Sequence, residues 1–209
     1  VTNVFLMLYL ICDANRFGAV ENRLKLQKLV FLSQKRLIEN KLKAFGYNFF
    51  RWHKGPFSKY LSVDLDAMCE AGFLTEKYDK IELTPKGRAF LQDCSELIEE
   101  NNSFLRVIDR IVRRYGKIPP DELKELVYNM KVVVPHLRQK MAIRDIPPGQ
   151  LILFKTADKN AEAIFDLDSS WVATLELYFD STAMKSLEQA VDDAVEGRVY
   201  DANIRSNPS

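Results

Sequence analysis

Histidine is nearly missing from this chain: His53 and His136 are the two present in 209 residues. With three scattered cysteines they do not make up a structural zinc site, and neither lies in a local nucleophile signature. Glycine is sparse too. The eight glycines are dispersed, so there is no phosphate-cradling loop of the G-x-G-x-x-G or Walker kind. No catalytic residue, metal ligand or cofactor is therefore expected, and the chain reads as a non-enzyme. Long apolar runs are absent as well. The longest, residues 4–12, has nine residues, well short of the roughly 20 that a bilayer span needs, and no basic stretch precedes it as in a signal peptide. The cytoplasm is the expected location, with no membrane partner. Cys12, Cys69 and Cys94 are odd in number and far apart within apolar, helix-like segments. That placement suits buried thiols in a reducing compartment.

What is present is ordinary globular composition, 47% hydrophobic and 28% charged, with an uneven distribution of charge. Between positions 16 and 60 there are eleven Lys and Arg against two acids, whereas from 157 onward four basic residues face eleven acidic ones. The overall charge of +1 hides this dipole, which implies a basic docking surface at one end and an acidic one at the other.

Residues 4–14 are apolar almost all round and read as a buried helix. A long second helix is expected over 23–43, free of Gly and Pro, with Lys25, Lys28, Lys35, Arg36 and Lys43 within one arc of roughly 100°. This stripe is either a solvated face or a docking strip for phosphate or acidic side chains. The aromatic run 47–52 suits a strand. Gly55-Pro56 then turns into a helix reaching about residue 71, with Pro56 at its first turn and Phe57 anchored inward; on that reading Phe57→Ala costs about 3–5 kcal/mol. Two short strands at 73–75 and 80–83 form a small wing. Thr84 and Pro85 cap and open a helix over 86–99. Further helices are expected over 104–116 and 120–128, with Pro135 and Pro147-Pro148 in looser connections. In the tail, Ser169 caps a helix bearing Trp171, Leu175, Tyr178 and Phe179 on one stripe, and 184–195 repeats the pattern with Leu187 and Val191. The fold class expected is mainly α with a small β-wing. A winged-helix-like N-terminal module (1–100) precedes additional helices and a proline-rich connection (101–150) and an acidic amphipathic C-terminal segment (151–209).

Two stretches go further than periodicity. Residues 26–32, LQKLVFL, followed by 47–58, YNFFRWHKGPFS, resemble the paired signature of the Panacea domain, the SocA-type antitoxin family. Residues 81–88, IELTPKGR, resemble the wing-to-helix closure of winged-helix regulators and of the related, uncharacterised YwgA-like proteins. The tail motifs LEQA at 187–190 and GRVY at 197–200 are similar to the toxin-wrapping ends of small antitoxins of the Phd kind. The resemblance implies a protein that neutralises a toxin by contact, the toxin being encoded nearby.

Two functions compete on these residues. A protein-binding antitoxin would use the tail stripe, Trp171, Leu175, Tyr178, Phe179, Leu187 and Val191, as its partner contact, since large side chains concentrate interface energy. On that view a chain truncated after Asp166 still folds but no longer binds. A winged-helix DNA-binding regulator, such as an autorepressor of its own operon, would send the helix after Gly55-Pro56 into the major groove. That helix holds one basic residue against three acids, a poor match to a polyanion, so nucleic acid is the second choice. Lys25, Lys28, Lys35, Arg36, Lys43, Arg51, Lys54 and Lys59 are the candidate contacts to phosphate or to an acidic partner.

Overall fold

The computed structural model describes residues 1–135, 137–154, 160–179 and 189 of the chain. It is mainly α with small sheets. α1 (Thr2–Asn15) has no polar face, and Phe5, Leu6, Leu8, Leu10 and Ile11 are fully buried. α2 (Arg23–Glu39) begins where the Asn22 side chain accepts from the Lys25 N–H at 2.9 Å, one of the orphan donors of a helix start. The chain then forms β1 (Leu42–Lys43), β2 (Phe49–Trp52), β3 (Gly55–Phe57) and α3 (Lys59–Glu70). β4 (Leu74–Lys77) and β5 (Lys80–Leu83) pair as a two-stranded hairpin. α4 (Pro85–Asp93), α5 (Ser95–Glu100), α6 (Asn102–Tyr115) and α7 (Pro120–Asn129) follow. After them come β6 (Lys131–Val134), β7 (Gln139–Ala142), β8 (Leu151–Leu153), β9 (Ala163–Ile164) and α8 (Ser169–Phe179).

α1 and α2 pack on α6, and α2 also meets α7 and β3. β2 is the centre of an antiparallel sheet in the order β3-β2-β8, and β1 pairs in parallel with β9. Phe5, Phe73, Phe90, Phe104 and Phe165 lie in one buried cluster, with the Phe5 and Phe165 rings 5.8 Å apart and those of Phe73 and Phe90 5.3 Å apart. Among the described residues no helix is long and apolar enough to cross a membrane.

A recurring device attaches the short strands and loops to the helices. Side-chain amides both donate to and accept from the backbone of a distant residue, as a neighbouring strand would. Asn101 does this with Asp166 (3.0 and 2.8 Å), and Asn15 bonds Ile81 O and the Leu83 N–H (3.3 and 3.0 Å). Buried backbone groups that no ladder reaches are satisfied in this way.

Several expected elements differ. α2 stops at Glu39, because Asn40 leaves helical geometry and Lys41 turns into the left-handed region at φ 56°; Lys43 therefore lies on β1. Gly55-Pro56-Phe57 is a strand rather than a helix start, since the helix begins only after Ser58. Phe57 consequently points outward, 36% exposed, and is not a core anchor. The helix expected over 86–99 breaks at Cys94 into α4 and α5. The looser connections around Pro135 and Pro147-Pro148 flank β6, β7 and β8. At the tail, Asp168 rather than Ser169 caps α8, its Oδ1 accepting from the N–H groups of Ser170 and Trp171, both at 2.9 Å. The helix expected over 184–195 lies outside the described residues.

Candidate functional site

The middle of α2 is polar where a buried helix is ordinarily apolar: Gln27, Lys28, Ser33 and Gln34 are all 3% exposed or less. Three of these side chains hold the segment from Tyr47 to Ser58. Gln34 donates to Tyr47 O at 2.7 Å and accepts from the Tyr47 N–H at 3.1 Å. Two helical turns earlier, Gln27 donates to Ser58 O and accepts from the Ser58 N–H, both at 2.9 Å. Lys28 donates to Pro56 O at 2.8 Å. The carbonyls that would be claimed by an early start of α3 are thus taken by α2, and Gly55–Phe57 is drawn out beside β2. Gly55, at φ 90°, closes the turn in the region that favours glycine.

The hairpin so held presents aromatics to solvent. Phe50 and Phe57 are directly paired across the strands, and Trp52 stands two residues along, on the same face. They are 41%, 36% and 49% exposed, and Tyr60 and Val63 on α3 add to the exposed apolar side chains of this region. Lys54 and Lys59 are exposed around them. Arg51, between Phe50 and Trp52, turns to the Tyr128 ring, its guanidinium 5.5 Å from the ring centre.

Beside this face, α2, the β2–β3 turn and α3 enclose a pocket of about 390 Å³, with Leu24, Trp52 and Phe57 as apolar walls and Lys28, Lys54 and Ser62 among its polar ones. Burial, with a smaller contribution from the Lys124 charge, pulls the Lys28 ammonium down to about 7. Tyr47 donates its hydroxyl to Asp64 at 2.6 Å, and burial pushes its own titration up.

A family model described as the antitoxin SocA-like, Panacea domain matches residues 26–132, half of the chain. The chain belongs to this family. A relative in Bacillus subtilis (strain 168), the uncharacterized protein YwgA, is 29% identical over 133 residues, covering 54% of this chain and 76% of that protein. No solved structure matches. The Panacea match takes in α2 from Leu26 onward and the whole Tyr47–Ser58 segment, so Gln27 and Lys28 of the first signature stretch bind the second stretch to the helix.

The basic stripe expected on α2 of the Panacea domain is not a continuous outward surface. Lys25 and Lys28 are buried, 1% and 2% exposed. Lys25 pairs with Glu21 one turn back, and Lys35 and Arg36 share Glu39. The two acids of this stretch thus pair with three of its bases and cancel two of their charges, and Lys43 lies on β1 beyond the helix. Lys54 and Lys59 are exposed beside the hairpin, whereas Arg51 turns to the Tyr128 ring.

The described part of the tail stripe packs against the protein itself. Leu175 is fully buried, Tyr178 and Phe179 lie with their rings 5.0 and 5.5 Å from Phe90, and Trp171 is half-buried. These side chains face the protein's own core because α4 and the Phe73 loop leave an apolar gap that α8 fills. Leu187 and Val191 lie outside the described residues. The three thiols are unpaired, and burial raises each of them, Cys94 to about 12. Among the described residues no cluster of His, Cys, Asp and Glu could hold a metal ion.

Composition could not single out Phe50, Trp52 and Phe57, since strand aromatics are more often core. The signal that could have found them is two-residue spacing with Phe49 and Pro56 on the opposite face.

Proposed function

We propose that this protein is an antitoxin that neutralises a toxin by direct contact, and that the contact is made by the aromatic face of the β2–β3 hairpin. The observation that carries the reading is the exposed trio Phe50, Trp52 and Phe57, held on a backbone that buried α2 side chains fix in place. Rigid aromatic anchors with a basic rim, here Lys54 and Lys59, have the make-up of an interface centre. Membership of an antitoxin-like family supports a toxin as the partner.

The test is co-purification with the product of the neighbouring gene. Trp52→Ala and Phe57→Ala together are expected to abolish capture while lowering stability by only about 1 kcal/mol, as for surface positions. Retained capture by this double variant removes the aromatic face from the interface.

The competing function is a winged-helix DNA-binding regulator, in which α3 would enter the groove and β4–β5 would be the wing. The element order through α4 supports that reading. The exposed residues of α3 oppose it: Lys59 is the one base, against Asp66 and Glu70, and a groove reader needs the reverse balance. Specific binding to its own upstream DNA at about 10⁻⁸ M or tighter would favour this alternative.

A further inference from the structure

The pocket beside the aromatic face has a chemistry of its own. Lys28 sits at its edge, 2% exposed, and among the described residues its ammonium has one hydrogen bond, to Pro56 O. A buried ammonium with a single neutral acceptor and no counter-ion is costly and is ordinarily paired. No Asp or Glu is among the pocket's lining residues. Arg23, which also lines it, is committed elsewhere, with Glu76 at 2.9 Å and Asp66 at 2.7 Å. Lys54 has no ion pair among the described residues. Ser62 accepts from Gln27 at 3.2 Å, which leaves its own hydroxyl proton to donate. Gly55 has no side chain to stand over the amine; a Cβ there would lie 3.6 Å from Lys28 Nζ. The site therefore offers two cations and a hydroxyl, flanked by Leu24, Trp52 and Phe57, and lacks an anion.

We propose that this pocket is a carboxylate site that takes an Asp or Glu side chain of the partner protein, with an adjoining apolar residue of that partner laid against Trp52. The proposal rests on the reading of the hairpin face as the toxin contact and names the chemistry that the face selects. The carboxylate supplies the charge that Lys28 lacks, and the apolar walls explain why a bare anion is not the intended guest.

Binding is coupled to protonation. The titratable and charged groups around Lys28 are Lys54 and His53 from the turn, Arg23 from α2 and Lys124 from α7; Lys124 is itself paired with Asp121 and Glu125, and Arg23 with Asp66 of α3. Burial holds the free ammonium at about 7, so a bound carboxylate, itself ionised, raises that value and binding draws a proton from solvent onto the Lys28 amine. For a group titrating there, the protonated fraction falls about tenfold between pH 6 and pH 8, and the affinity falls with it.

The test uses the full chain and two capped dipeptides that differ by one functional group, acetyl-Glu-Phe-amide and acetyl-Gln-Phe-amide, titrated by NMR at pH 6 and pH 8. The Glu peptide is expected to bind at least about tenfold more tightly at pH 6 and to lose about tenfold by pH 8, whereas the Gln peptide is indifferent to pH. Lys28→Met should erase both the preference and the pH dependence. Should that variant fold poorly, the Lys28 side-chain titration in the unaltered protein decides: its midpoint must rise on addition of the Glu peptide. Equal binding of the two peptides, no binding of either, or an unmoved Lys28 midpoint overturns the carboxylate site. Those outcomes leave the hairpin-face reading standing if the Trp52→Ala and Phe57→Ala double variant abolishes capture of the neighbouring gene product. Capture that survives the double variant, with the peptide preference of the unaltered protein intact, removes that reading and keeps the pocket as a carboxylate site.

Discussion

At the scale of single residues, the polar side chains inside α2 are structural first. Gln34 is fully buried and satisfies both main-chain groups of Tyr47. Gln34→Ala leaves a buried N–H and C=O without partners, at about 1–3 kcal/mol each. A loss of about 2–4 kcal/mol in urea-induced unfolding is expected. Lys28 adds a pH dependence. In the unfolded chain its amine has its ordinary value of 10.5, whereas in the fold burial holds it near 7. Below pH 7 both states are protonated and the burial of charge weighs in full. As pH rises past 7 the folded state releases the proton while the unfolded state keeps it, so stability increases, by up to about 1.4 kcal/mol per pH unit. Unfolding measured between pH 7 and 8.5 should show this rise in the unaltered protein and not in Lys28→Met. Higher pH is unsuitable. Cys94 and Tyr9 keep their protons in the fold beyond the point where the unfolded chain loses them, which pulls in the opposite direction.

At the scale of elements, the LTPKGR stretch shows how much a short motif can specify. Thr84 accepts from the Gly87 N–H at 3.1 Å and donates to Gly72 O at 2.7 Å, joining the start of α4 to the end of the α3 turn. Gly87 lies so close to the chain just before β4 that a Cβ would stand 2.3 Å from Phe73 O. Because that atom is backbone, it cannot swing aside. Gly87→Ala is expected to destabilise by about 1–3 kcal/mol, the cost of overpacking, read as a lowered thermal midpoint.

Local signals of this kind were legible in the sequence. The caps, the proline at a first turn and the helical spacing located α1, α6, α7, the starts of α4 and α8 and the β4–β5 hairpin to within a few residues. The differences are of direction at Lys25, Lys28 and Phe57, and of type at Gly55–Phe57 and at β6 to β8. Lysines point outward by default, which puts Lys25 and Lys28 on a surface; the Pro56 carbonyl that receives Lys28 is set by a tertiary contact, whereas the Glu21 carboxylate that receives Lys25 lies one helical turn away. Phe57 was assigned inward for the opposite reason. The prolines that flank β6 to β8 mask them in the sequence, although Lys131–Val134 alternates exposed and buried as a half-buried strand does.

For the whole molecule, α8 closes the core. Leu175 is fully buried, and the Phe179 ring lies 5.7 Å from Phe73 and 5.5 Å from Phe90. Leu175→Ala is expected to cost about 2–5 kcal/mol, measured by chemical denaturation. Truncation after Asp166, which removes all of these contacts, should give a chain that binds a hydrophobic dye and unfolds without a sharp transition. A truncated chain that unfolds cooperatively would return α8 to the role of a separable arm. The hairpin obeys a different economy. The atoms by which α2 holds it, at Tyr47, Pro56 and Ser58, are main-chain atoms that any sequence possesses. Its outward positions 50, 52 and 57 are therefore free of the duty of keeping it in place. Mutation can exchange those side chains, and with them the identity of the molecule recognised, without loosening the loop that displays them; a lineage carrying this scaffold can change targets faster than it changes fold.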